Sequence, residues 1–151
     1  MGLEDVLLVF HIAAAGTWLG ANLVQAIVPP LAAKEGPATE AGWYRIAARL
    51  SRSLYMPVSI VILVTGVWMV LIDDAYGFTN AFVNIGFAMI VVGAVLGILV
   101  FDPGSRNAAE AIVSGDAEAM RVTRFRIAAF GVLDTLLILF TMTAMVLRLG
   151  S

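Results

Sequence analysis

The chain contains no cysteine, which excludes a disulfide scaffold, thiolate zinc sites and iron–sulfur clusters. It has a single histidine, His11, so a haem held by two histidines of one chain is excluded as well. Charge is scarce. Only 13% of the 151 residues are Asp, Glu, Lys or Arg, about half the ~25% of an ordinary soluble domain. So few charges cannot cover the large relative surface of a small water-soluble domain. The net charge of −2 leaves no electrostatic footprint for nucleic acid. Apolar residues are abundant instead, at 61% against roughly 45–50% on average, and that excludes disorder. The composition is that of an integral membrane protein, and the expected fold is an all-α four-helix bundle forming a single transmembrane domain over residues 1–151.

A helix needs about 20 mostly apolar residues to cross the hydrocarbon core. Four stretches qualify: residues 6–28, 54–72, 80–101 and 127–147. Pro29-Pro30, Asp73-Asp74 and Asp102-Pro103-Gly104 are expected to end the first three, and Arg148 with Gly150 to close the fourth. Pro57 falls in the first turn of the second span, where a missing N–H costs little. Glu4 and Asp5 precede the first span where a signal peptide wants basic residues, so a retained helix is expected there. Val6 stands where a myristoylation site wants Ser or Thr.

Orientation follows from the basic residues. Lys34, Arg45, Arg49 and Arg52 lie between the first two spans, and Arg106, Arg121, Arg124 and Arg126 between the last two. Eight of the nine basic residues thus share one side, and the connection 73–79 holds none. That side is expected to be cytoplasmic in a cell (inner or plasma) membrane, with both termini outside. The cytoplasmic connections are expected to be short amphipathic helices. Trp43, Ile46, Ala47, Leu50 and Leu54 follow helical spacing, with Arg45, Arg49 and Arg52 on another face and Trp43-Tyr44 at headgroup level. Asp116 is placed to cap a helix that carries Arg121, Arg124 and Arg126 into the fourth span. Arg49 and Arg52 recur as Arg121 and Arg124 at an offset of 72, and Pro30 as Pro103 at 73, a hint of two hairpin repeats.

Ionisable groups inside a span are costly and are functional candidates by default. There are two, His11 and Asp134. His11, Ala15, Trp18, Asn22 and Gln25 share one helix face, which must point into the bundle because lipid cannot satisfy its polar groups. Gly16 with Gly20, and Gly93 with Gly97, form small-xxx-small pairs suited to close helix packing. His11 lies about 8 Å inside the outer boundary at 1.5 Å per residue. Met69, Asn80, Asn84, Met142 and Met145 fall at a similar depth, with Asp73 and Asp74 just above. Imidazole with thioethers suits copper(I), and imidazole is also a haem ligand. Alternatively His11 makes a structural hydrogen bond to Asn84 or to a threonine. Asp134 lies level with Asn22 and Gln25, and Arg52 is positioned to snorkel toward it. A structural contact and a proton relay are both open for Asp134. No phosphate loop, paired-histidine metal motif or nucleophile–base–acid trio is present, so catalysis is not expected.

His11–Gly20 (HIAAAGTWLG) followed by Pro30, together with Thr65-Gly66-Val67-Trp68, resembles the CopD-like group of small bacterial membrane proteins. The similarity runs over nearly the whole chain and is greatest to an uncharacterised four-helix family within that group. The resemblance implies a four-helix membrane fold. It also implies a first-helix histidine, here His11, that serves copper or haem in relatives such as copper-resistance proteins and haem-dependent protoporphyrinogen oxidases. Only His11, Trp18 and Gly20 are carried over by the motif. Two functions are therefore expected. One is a non-enzymatic membrane subunit or scaffold whose partners are the lipid bilayer and other membrane subunits or a second copy. The other is a copper- or haem-binding protein with His11 as ligand, and Met69, Met142 and Met145 as further metal donors.

Overall fold

The computed structural model describes residues 2–72 and 76–150, and every regular element among them is helical. Six α-helices follow in order: α1 (Leu3–Lys34), α2 (Pro37–Leu50), α3 (Met56–Ile72), α4 (Ala81–Leu96), α5 (Asp102–Ser114) and α6 (Ala117–Val146). Two π-helical turns, Ser51–Tyr55 and Gly97–Phe101, join α2 to α3 and α4 to α5 without a break. The chain therefore forms four long rods, each long and apolar enough to cross a membrane. Asp73 and Asp74, expected to end the second span, lie outside the described residues.

The prolines do not end the helices as expected. Pro29 and Pro30 sit inside α1, which runs one turn further to Lys34. Proline fixes φ near the helical value, so the chain can continue past it, and only the carbonyls one turn back lose partners. The reversal comes at Gly36, whose φ of 111° is open only to glycine at little cost. Pro57 is in the first turn of α3 as expected, although the π turn before it makes the rod continuous from Pro37. Asp102-Pro103-Gly104 begins α5 instead of closing a span, and the rod stops at Gly115 with φ 72°. Each π turn ends two residues before a proline. That placement has a physical cause: a proline lacks the N–H for the carbonyl four residues back and its ring crowds that carbonyl, here Ser53 and Leu99. A wide turn relieves both problems.

At membrane level the rods form an open arc in the order α3, α1, α6, α4, in which α3 and α4 scarcely touch. The same two rods meet tightly at their far ends, where α2 packs on α5. The pair is thus closed at one end and splayed along the spans. Three core layers fill the bundle: Tyr44, Ala108 and Met120 at the closed end, Trp18, Met89 and Ile138 in the middle, and Phe82, Val83 and Ala144 at the other end. Large apolar side chains such as Val9, Leu71, Ile98 and Val132 point outward, as lipid-facing residues do.

The amphipathic helix α2 is present, but its buried face is Glu40, Ala41, Tyr44, Ala47 and Ala48. Ile46 is exposed, and Tyr44 packs on Ala108 and Met120 with Trp43 beside it. Small residues let α2 and α5 approach closely, so the face of α2 that α5 covers is rotated from the one helical spacing assigns to lipid and shares only Ala47 with it. Asp116 caps α6 as expected, its carboxylate accepting from the Ala119 N–H at 2.9 Å. Arg124 pairs with the buried Glu40, and Arg52 leans on Asp102 at 3.8 Å. The two arginines matched between the halves by spacing each reach a carboxylate of the other half.

Candidate functional site

The expected stripe on α1 does face the bundle: His11 and Trp18 are buried, and Ala15, Asn22 and Gln25 are half-buried. It supplies two polar centres separated by the Trp18 ring.

The first centre is built on His11. Its Nδ1 lies 2.9 Å from Thr65 Oγ1. The Thr65 hydroxyl has one proton, and it lies 2.6 Å from the Val61 carbonyl, to which it donates. Its oxygen can then only accept from the imidazole, so the ring proton resides on Nδ1 and Nε2 keeps its lone pair. The Ile62 carbonyl also lies close to the ring, and no side chain among the described residues hydrogen-bonds Nε2. Gly66 gives the ring room, since a Cβ there would lie 3.3 Å from it and push it by a few tenths of an ångström. The ring borders a cavity of about 320 Å³ that opens between α3 and α4, and Met69 and Met145 line it too. That volume is at the lower end of the ~300–1,000 Å³ of small-ligand sites. Met142 lies instead on a smaller void of about 50 Å³, with His11, Met89 and Trp18. Met89, in the middle of α4, was not legible as a neighbour of His11 from depth alone.

Asn84 does not join this centre. It is exposed, and its amide donates to the Phe78 carbonyl at 2.9 Å, closing the turn before α4. Depth placed it correctly, but the rotation of α4 turns it outward. Among the described residues no three His, Asp or Glu side chains come together as a metal set.

The second centre is built on Asp134, only 2% exposed. Its Oδ2 accepts from Asn22 Nδ2 at 2.7 Å and from Trp18 Nε1 at 3.2 Å. Tyr55 links the stripe to α3: its hydroxyl donates to Asn22 Oδ1 at 2.9 Å and accepts from Gln25 Nε2 at 3.0 Å. Asp134 Oδ1 is buried, and among the described residues it has no hydrogen-bond partner. This centre lies under a second cavity of about 350 Å³, again between α3 and α4, with the two π turns in its walls. The contacts of Asp134 with Asn22 are those expected. Arg52 is not one of them, because Asp102 holds it at the rim. Tyr55 and Trp18 carry no net charge and were missed as donors, although Trp18 shares the stripe.

Within the chain the four glycines of these pairs have different surroundings. Gly93 takes the Trp18 indole, whose ring carbons would lie 2.5 Å from a Cβ at that position. Gly97 sits in a π turn, and a Cβ on Gly16, Gly20 or Gly97 would meet nothing within 4 Å. Among the described residues, then, no neighbouring side chain or helix fills the space in front of Gly16, Gly20 or Gly97.

Comparison with protein families, with characterised proteins and with solved structures finds no match.

Proposed function

We propose that the protein is a membrane-embedded binding protein that uses His11 to hold copper or haem, copper(I) being the better match to the donors. One observation carries the reading: Thr65 commits Nδ1 as the donor, leaving the Nε2 lone pair of a buried imidazole free at a cavity that Met69 and Met145 also line. One imidazole with thioethers is a soft donor set, which selects copper(I) over hard divalent ions. A second-shell partner on the other ring nitrogen orients a ligating histidine. Thr65 fills that role here. The resemblance to the CopD-like group supports the same reading, and with it a bacterial inner-membrane location. The basic end of the bundle then faces the cytoplasm and both termini the outside, which puts His11 toward the outer surface.

The test is a metal and haem assay of protein purified in mild detergent. Copper stoichiometric with the chain is expected, without a Soret band. His11→Gln should lose the copper while helical circular dichroism and monodispersity are kept. Thr65→Val should weaken copper affinity by about 10–100-fold. Wild-type protein that binds neither copper nor haem would overturn the proposal, and a Soret band lost in His11→Gln would move it to haem.

A non-enzymatic scaffold is the second reading, favoured by Gly16 and Gly20. Both are exposed on α1 with open space in front of them, as a face for another membrane helix would be. Gly16→Leu with Gly20→Leu should then change the oligomeric state in detergent without loss of the monomer fold.

A further inference from the structure

The closed end of the bundle carries a strongly charged groove. Arg45, Arg49 and Arg52 of the α2 rod and Arg106 of α5 line one depression of about 610 Å³ along the α2/α5 seam. Four guanidinium groups meet only two carboxylates there. Asp102 is shared by Arg106, at 2.9 Å, and Arg52, at 3.8 Å, and Glu110 lies on the groove wall. Arg45 and Arg49 form no ion pair among the described residues. The groove is therefore left with excess positive charge and with planar donors suited to a phosphate.

A second observation concerns what lies next to it. The α2/α5 seam runs directly into the α3/α4 cleft, because both belong to the same two rods. Arg52 borders the groove and the cleft at once. The rim of the cleft is aliphatic and aromatic: Met56, Ile60, Ile98 and Phe101. Met56, Ile60 and Ile98 are all more than half exposed. Arginines therefore stand at the end of the spans, and a cleft with an apolar rim, and with Gln25 and Asp134 in its floor, leads from them into the membrane.

We propose that this continuous groove and cleft is a binding site for one anionic phospholipid, with the phosphate on Arg45, Arg49, Arg52 and Arg106 and an acyl chain in the α3/α4 cleft. Charge selects an anionic headgroup over a zwitterionic one, and the cleft selects a lipid over a free anion. The headgroup neutralises Arg45 and Arg49, which form no ion pair among the described residues. The chain covers the aliphatic rim where α3 and α4 part.

The experiment reads retained lipid by native mass spectrometry of the full chain. Protein is reconstituted into phosphatidylcholine nanodiscs carrying phosphatidylglycerol and then extracted in mild detergent. One phosphatidylglycerol per chain, retained in preference to phosphatidylcholine, is expected. Each juxtamembrane arginine is worth about fivefold in affinity, so Arg45→Gln with Arg49→Gln should lower retention by roughly 30-fold. Both side chains are exposed, so the fold should survive, as circular dichroism will check. Dihexanoyl phosphatidylglycerol, which shares the headgroup but lacks long chains, should be lost on extraction. Equal retention of the two headgroups, or retention unchanged in the double variant, would overturn the proposal. Displacement of the lipid by millimolar inorganic phosphate would overturn it in favour of a free-anion site.

Discussion

Trp18 donates its indole N–H to Asp134, lays its ring on Gly93 and meets Tyr55 edge-on at 6.0 Å. The three contacts explain why the glycines of the spans are not equivalent. Gly93→Ala adds a methyl where the ring already lies, and overpacking of this kind costs about 1–3 kcal/mol. Gly16→Ala and Gly20→Ala meet open space and should leave stability within about 0.5 kcal/mol. Denaturation in mixed micelles, followed by circular dichroism, separates the two cases. Asp134→Asn should fold, because an amide oxygen still accepts from Trp18 and Asn22. Asp134→Leu strips both donors of their acceptor. Interhelical bonds in membranes average ~0.6 kcal/mol, so a loss of about 1 kcal/mol is expected by the same measurement. If Asp134→Asn folds normally yet abolishes a proton-linked activity, the proton-relay role replaces the structural one. Residue identity and spacing pointed to His11, Asn22, Gln25 and Asp134. A threonine was one of the two partners expected for His11, but which threonine, and the part of Tyr55, were hidden, because which side chain lies opposite depends on the rotation of α3.

Among the elements, α2 and α5 differ most from expectation. Spacing alone picks Trp43, Ile46, Ala47 and Leu50 as the face of α2 to be covered, whereas small residues on α5 cover Ala41, Tyr44, Ala47 and Ala48 and leave Ile46 exposed. The Glu40–Arg124 pair then staples α2 to the start of α6. Glu40 is buried and Arg124 about half exposed, so the two partners are not interchangeable. Arg124→Met leaves a buried carboxylate without its cation. Breaking a fully buried pair costs about 3–5 kcal/mol. Solvent around Arg124 reduces this to roughly 1–2 kcal/mol. Glu40→Gln leaves a guanidinium that water can reach, and should cost less. A double-mutant cycle on thermal unfolding checks the asymmetry; equal losses would place Glu40 in water. The π turns could not be anticipated either. Pro57 and Pro103 were visible, but a proline is compatible with an ended helix, a kinked one or a widened turn. Packing of α2 against α5 decides for continuity.

For the whole molecule, the splay of α3 from α4 controls everything that a ligand can reach. Both cavities, and the passage from the arginine groove, exist because these rods touch at one end only. The side on which that closed end lies is testable, since the chain has no cysteine. Ala38→Cys and Thr79→Cys are both at exposed positions. A membrane-impermeant maleimide should label Thr79→Cys in intact cells and reach Ala38→Cys only after lysis; the reverse pattern would invert the bundle. Composition and hydrophobic run length were sufficient for four membrane helices, because lipid demands about 20 apolar residues per crossing whatever the neighbours are. The polar stripe on α1 was equally legible, because lipid forbids its exposure. Helix ends, the partners of each polar group and the open side of the bundle were not. They depend on how α3, α4 and α6 are rotated about their own axes. A uniformly apolar span carries almost no periodicity to set that rotation, so close packing around Trp18, Gly66 and Gly93 sets it instead.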